Sequence, residues 1–220
     1  MQGMPESEAD SPSKPEDIQG DGRWLNVHER FLSEGREKEP EVVLIGDSLL
    51  SHLSYTQIWS EKFVPLHCLN FGISGDQTQH VLWRVENGEL DNVNPKAVVL
   101  LVGTNNVKHG PKDVANGILK ITLSIQRKLP SATIFVLSLL PRGKYPNPLR
   151  EKNKKVNELL KEELISKNQV KFVDISSGMV QPDGTISHLD LHDYLHLSVT
   201  GYEKIFSIVY NNLLSCLIDV

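Results

Sequence analysis

Ser48 follows Gly46 and Asp47 at the end of the apolar run Val42–Ile45, and Asp193 stands three residues before His196 near the other end of the chain. These residue types suit nucleophilic acyl transfer. A serine hydroxyl is a poor nucleophile until a histidine takes its proton, and a carboxylate is needed to fix the imidazole tautomer and stabilise the imidazolium that forms. Ser48, His196 and Asp193 can fill the roles of nucleophile, general base and orienter. The carbonyl oxygen under attack gains negative charge, so the site also needs donors aimed at it. The Ser48 backbone N–H at an expected helix start, the backbone N–H of Gly75 and the Asn105 amide are the candidates for that oxyanion hole.

Singly, each of these residues has a plainer job. Ser48 or Asp47 can cap the helix that follows. Gly72 and Gly75 can mark tight strand-to-helix turns, the preferred reading for Gly72. Asn105 and Asn106 can bond to their own backbone in a turn. His188 and His192 compete with His196, whereas His28, His52, His67, His80 and His109 read as packing or surface histidines, because nothing near them in sequence completes a catalytic set. Order and location separate these readings: Gly46-Asp47-Ser48, Gly75, Asn105 and Asp193-x-x-His196 each follow a different apolar run.

Five such runs must position the site: Val42–Ile45, Leu66–Phe71, Ala97–Val102, Thr133–Leu140 and Val170–Ile175. Their nearly continuous apolar character suits strands buried on both faces of a parallel sheet. Helix-length segments lie between them. Val114, Ile118, Ile121, Ile125 and Leu129 form one apolar face ending at Pro130. Lys154 to Ile165 repeats the pattern with Val156, Leu159, Leu160 and Leu164, and the last segment, from Val199, carries Ile205, Ile208, Val209, Leu213 and Leu214. The alternation predicts a three-layer α/β/α sandwich with five parallel strands in the flavodoxin-like order 2-1-3-4-5, and its site beyond the carboxyl ends of the strands. The loop "PRGKYPNPLR" after the fourth run reads as a rigid connection and helix start.

With 220 residues, 39% hydrophobic and 23% charged, the chain suits one soluble domain, expected over residues 19–220 after a disordered acidic tail at 1–18. No apolar run approaches the roughly 18–20 residues of a membrane span. The formal charge of -5, with lysines interrupted by glutamates, offers no face for nucleic acid. Two cysteines, Cys68 and Cys216, show no zinc spacing and suit a reducing cytosol, so no metal or cofactor is expected. A nucleotide-binding reading lacks both GxGxxG after the first strand and GxxxxGK[ST].

The order serine, glycine, asparagine, histidine at Ser48, Gly75, Asn105 and His196 resembles the block pattern of the SGNH or GDSL hydrolases. The stretches "PLHCLNFGISGD", "HVLWRVENGEL", "VGTNN", "LLPRGKYPNPLREKN" and "DGTISHLDLHDYLHLS" closely resemble the catalytic α subunits of the intracellular type I platelet-activating factor acetylhydrolases. That resemblance implies a cytoplasmic serine esterase, without metal, that removes the sn-2 acetyl group from acetylated phospholipids through Ser48, His196 and Asp193. It maps a small acyl pocket onto Leu49, Thr104 and Leu195, residues that otherwise read as core packing. It implies a homodimer or a heterodimer with a related α subunit, and a lissencephaly-type WD-repeat regulatory subunit as partner. A role mainly as scaffold for that partner is the alternative. "GDGRWLNVHERF" matches the family near its amino end and joins either the dimer contact or the domain's own core. Ser74, Leu101 and Val107 depart from the glycine, tryptophan and histidine of relatives, which bears on substrate preference more than on catalysis.

Overall fold

The computed structural model describes residues 7–218. Its strands are β1 Val42–Gly46, β2 Cys68–Gly72, β3 Ala97–Leu101, β4 Thr133–Leu137 and β5 Val170–Val173. They form one parallel sheet in the order β2-β1-β3-β4-β5. The helices are α1 Arg23–Glu37, α2 Ser48–Ser51, α3 Thr78–Arg84, α4 Pro111–Lys128, α5 Pro148–Leu164 and α6 Val199–Ile218. Architecture and strand order are those expected.

Every residue of β1 and β3 is buried, so both faces of the sheet centre are covered. The edge strand β5 differs from the expectation of continuous burial: Lys171 is exposed and Phe172 half-buried. Three strands also differ at their ends, β5 stopping at Val173 and not at Ile175. β2 starts at Cys68 because Val64–Leu66 turns as a 3-10 segment and His67 takes a left-handed conformation, φ 50°. β4 stops at Leu137; the Ser138 N–H still donates to Val173 O at 2.9 Å, and its hydroxyl donates to Asp174 and accepts the N–H groups of Ile175 and Ser176.

The periodic helices bury the predicted faces. Val114, Ile118, Ile121 and Ile125 of α4 and Val156, Leu160 and Leu164 of α5 lie in the core. α5 begins earlier than its apolar pattern, at Pro148, because the Asn147 side chain accepts the N–H groups of Leu149 and Arg150. On α6, Ile205, Val209 and Leu213 are buried, but Ile208 lies toward solvent.

The disordered tail is corrected where the chain is described. Residues 1–6 and 219–220 lie outside the described residues. From Ser7 onward the segment docks: Glu8–Asp10 forms a 3-10 turn, Ala9 is fully buried, and its carbonyl accepts the Thr78 hydroxyl at 2.5 Å. Ser13 N–H adds a bond to Gln79 O at 3.2 Å. One small apolar residue inside a polar stretch provides the anchor, which composition averages away. Trp24 and Phe31 pack on their own domain; Phe31 stacks on Phe71 with ring centroids 4.8 Å apart.

Candidate active site

The strand order reverses between β1 and β3, so their carboxyl ends open a crevice at the point where such sheets bind ligands. β1 ends in Gly46, where a Cβ would collide with the Leu101 carbonyl, and Asp47 N–H donates to that carbonyl at 3.3 Å. Asp47 then leaves the strand with extended backbone, and its Oδ1 accepts Leu49 N–H at 3.0 Å. Capping of α2 therefore falls to Asp47, which leaves the Ser48 hydroxyl free for other work. Ser48 opens the helix, where its N–H has no intrahelical acceptor.

Ser48 Oγ lies 3.1 Å from His196 Nε2, and His196 Nδ1 lies 2.7 Å from Asp193 Oδ2. Asp193 Oδ1 also accepts the backbone N–H groups of His196 at 2.6 Å and Leu195 at 3.0 Å. With the carboxylate at Nδ1, the proton of a neutral imidazole sits there, and Nε2 is left to accept from Ser48. This arrangement can draw the serine proton onto the imidazole and hold the resulting cation against Asp193. Partial burial would raise the Asp193 carboxyl, but the hydrogen bonds from the His196 ring, His196 N–H and Leu195 N–H outweigh it. Asp193 is thus held well below the usual carboxylate range.

The loop carrying Asp193 and His196 is fastened from two sides. His192 N–H donates to His196 O at 3.0 Å across its neck, and Gly143 N–H donates to Tyr194 O at 2.8 Å from the loop after β4. Of the three competing histidines, His196 is the one hydrogen-bonded to Ser48. His192 is exposed, with Nδ1 3.3 Å from Leu197 O.

Gly75 lies exposed in the turn after β2 with φ 87°, a left-handed conformation in which a side chain would be strained. Gly72 is different: its constraint is close approach, because a Cβ there would run into the Ser51 backbone. The Asn105 amide donates to Asp76 O at 2.9 Å, which ties it to the residue following Gly75. Asn106 is purely internal, bonded to the Thr78 N–H, the Thr78 hydroxyl and Gln79. Leu49, Thr104 and Leu195 each adjoin a site residue in sequence. Leu49 and Thr104 are buried, and Leu195 is half-buried.

Two features escaped the sequence reading. Arg142, in the loop read as a rigid connection, donates from Nη1 to Thr104 O at 2.8 Å, bracing the turn that carries Asn105. Behind the Gly75 turn, Arg84 is fully buried and bonded to Asp76 Oδ2 at 2.9 Å, to Glu89, and to Gly46 O at 3.2 Å. Trp24 Nε1 donates to Asp76 Oδ1 at 2.7 Å, and His28 Nδ1 lies 3.2 Å from Glu89 Oε2. The signal available for this network was Arg84 and Glu89 within an apolar helical stretch, which charge patterning alone reads as surface.

A serine–histidine–carboxylate relay at the switch point of a 2-1-3-4-5 parallel sheet defines a class of hydrolases that act on acyl esters. The chain belongs to the GDSL-like Lipase/Acylhydrolase family, whose sequence pattern matches residues 44–204. It is 51% identical over 217 residues to the platelet-activating factor acetylhydrolase IB subunit alpha1 of Rattus norvegicus, covering 99% of this chain and 94% of that one. It is 50% identical over 200 residues to the platelet-activating factor acetylhydrolase IB subunit beta homolog of Drosophila melanogaster, covering 91% and 89%. A solved structure from Streptococcus pneumoniae, described as a platelet activating factor, superposes with a TM-score of 0.72 at 24% identity, covering 89% of this chain and 97% of that one. That likeness bears on the fold. Among the described residues, no helix is long and apolar enough to cross a membrane.

Proposed function

We propose that the protein is a serine esterase that releases acetate from the sn-2 position of platelet-activating factor and related short-acyl phospholipids. The observation that carries this reading is the relay of Ser48, His196 and Asp193, with contacts of 3.1 and 2.7 Å. The substrate class comes from the names of its relatives. Ser48 Oγ attacks the acetyl carbonyl while His196 Nε2 takes its proton. The oxyanion is held by the N–H groups of Ser48 and Gly75 and by the Asn105 amide. Collapse expels the lipid alkoxide, which receives the proton from His196, and leaves acetyl-Ser48. Water, deprotonated by His196, then releases acetate and restores the serine. Leu49, Thr104 and Leu195 wall the acyl side and favour a short chain over a long one.

Ser48→Ala tests the assignment. Acetate release from an acetylated phospholipid should fall by roughly 10³-fold or more, with the circular dichroism spectrum unchanged; undiminished turnover would sink it.

A second reading is favoured by the relatives being named as subunits. In it the chain pairs with itself or with a related α subunit in the cytoplasm and carries a WD-repeat regulatory partner. The Ser48→Ala protein separates the two roles, because a scaffold keeps its partner when hydrolysis is gone.

A further inference from the structure

Three imidazoles gather at the mouth of the site. The His52 and His196 rings are 5.1 Å apart between centroids, and those of His192 and His196 are 6.1 Å apart. His192 spends Nδ1 on the Leu197 carbonyl and turns Nε2 toward Asp193 Oδ2 at 4.0 Å, so its ring is committed to the catalytic loop. His52 is not. Its backbone N–H bonds to Ser48 O, one helical turn back, so its side chain rises on the same side of the turn as Ser48. The ring is half-buried, and neither of its nitrogens has a hydrogen-bond partner among the described residues. A half-buried ring beside His196 whose nitrogens are committed to no protein group is free to exchange water for a ligand that enters the site.

We propose that His52 contacts substrate: its ring N–H donates to the phosphodiester of the leaving alcohol, and it thereby selects phosphate-bearing acetyl esters over neutral ones. The inference rests on the acetyl-phospholipid reading above. When His196 Nε2 returns its proton, it must face the sn-2 oxygen. In a glycerophospholipid the phosphorus is separated from that oxygen by only two carbons and one oxygen. A phosphate so placed reaches a ring adjacent to His196 on the Ser48 side. Asp193 holds the opposite nitrogen, Nδ1, so its charge lies across the His196 ring from the leaving group.

His52 suits the task in charge as well as position. Burial, followed by the neighbouring His196 and His192, holds it below the ordinary imidazole range, against a smaller opposing pull from Asp193. It is therefore a neutral donor at neutral pH. A second cation there would oppose protonation of His196, whereas a neutral donor that draws in a phosphate adds a counter-charge beside the imidazolium.

The test compares His52→Phe and His52→Gln with the parent enzyme on two substrates: 1-alkyl-2-acetylglycerophosphocholine and 1-alkyl-2-acetylglycerol, which lacks the phosphate. His52→Phe should lose roughly tenfold or more in kcat/KM on the phospholipid, mainly through KM. On the acetylglycerol it should stay within about twofold of the parent. His52→Gln, which keeps a donor, should recover much of the phospholipid activity. Equal losses on both substrates would mean that His52 only steadies the His196 ring, and no loss on either would mean that it touches nothing; each overturns the proposal. Failure of the underlying esterase reading would show separately, as hydrolysis that survives Ser48→Ala.

Discussion

At the scale of single residues, Asp193, bonded to His196, and Asp47, next to Ser48, are held at opposite ends of the carboxyl range. Asp193 is half-exposed and saturated with donors, so it stays ionised beside the His196 ring. Asp47 is fully buried, with Oδ2 lacking any hydrogen-bond partner, and burial pushes its carboxyl up to about 7 despite the Leu49 N–H. An unfolded aspartate loses its proton near pH 3.9. Between about pH 4 and about pH 7 the folded protein therefore holds a proton that the unfolded chain has released, and stability falls as pH rises through that window, then levels off. Asp47→Asn keeps the acceptor that caps α2 and removes the ionisation. Its thermal midpoint relative to the parent should therefore rise from about pH 5 to about pH 8 in scanning calorimetry. A constant offset across that range would contradict the assignment.

At the scale of elements, Ser48 is placed by contact between the ends of β1, β3 and β2. Gly46 lets β1 touch the last carbonyl of β3, and Gly72 lets β2 touch the backbone of α2. Ile73 N–H then bonds to Gly46 O at 3.0 Å, linking the turn that carries Gly75 to the one that carries Ser48. Gly72→Ala would force α2 away from β2. It should destabilise the fold by about 1–3 kcal/mol in urea unfolding and reduce turnover at least tenfold by moving Ser48. Full activity in that variant would show that the close approach is dispensable.

At the scale of the whole molecule, the Arg84 network joins parts that are distant in sequence. Through Asp76, Glu89 and Gly46 O, one guanidinium at the end of α3 connects the turn after β2, the segment Val85–Glu89 and the end of β1, and Trp24 and His28 bring α1 to the same carboxylates. A buried charge set of this kind is costly to break, because removing one partner strands the others in a medium that solvates them poorly. Arg84→Ala should cost about 3–5 kcal/mol in chemical denaturation. The matched removal of charge, Arg84→Met with Asp76→Asn and Glu89→Gln, should recover most of it. If the single and triple variants lose stability equally, the network contributes by packing and not by charge.

The sequence by itself determined the strand order, the faces of α4 and α5, and the four positions whose types suit acyl transfer. Each of these is written in local periodicity or in residue chemistry that needs no partner to be read. It left open which residue caps α2, and its preference for His196 over His188 and His192, and for Asn105 as a donor over a plain turn residue, rested on order along the chain alone. Those choices rest on distances between segments far apart in the chain, and only the folded sheet sets them: Asp47 takes the cap, His196 comes to 3.1 Å from Ser48, and Asn106 is spent on Thr78. Tertiary structure alone also decided the docking of residues 7–13, the burial of Arg84 and the setting of His52. Whether a charge is paired, or a donor unpaired, depends on what the rest of the chain brings to it.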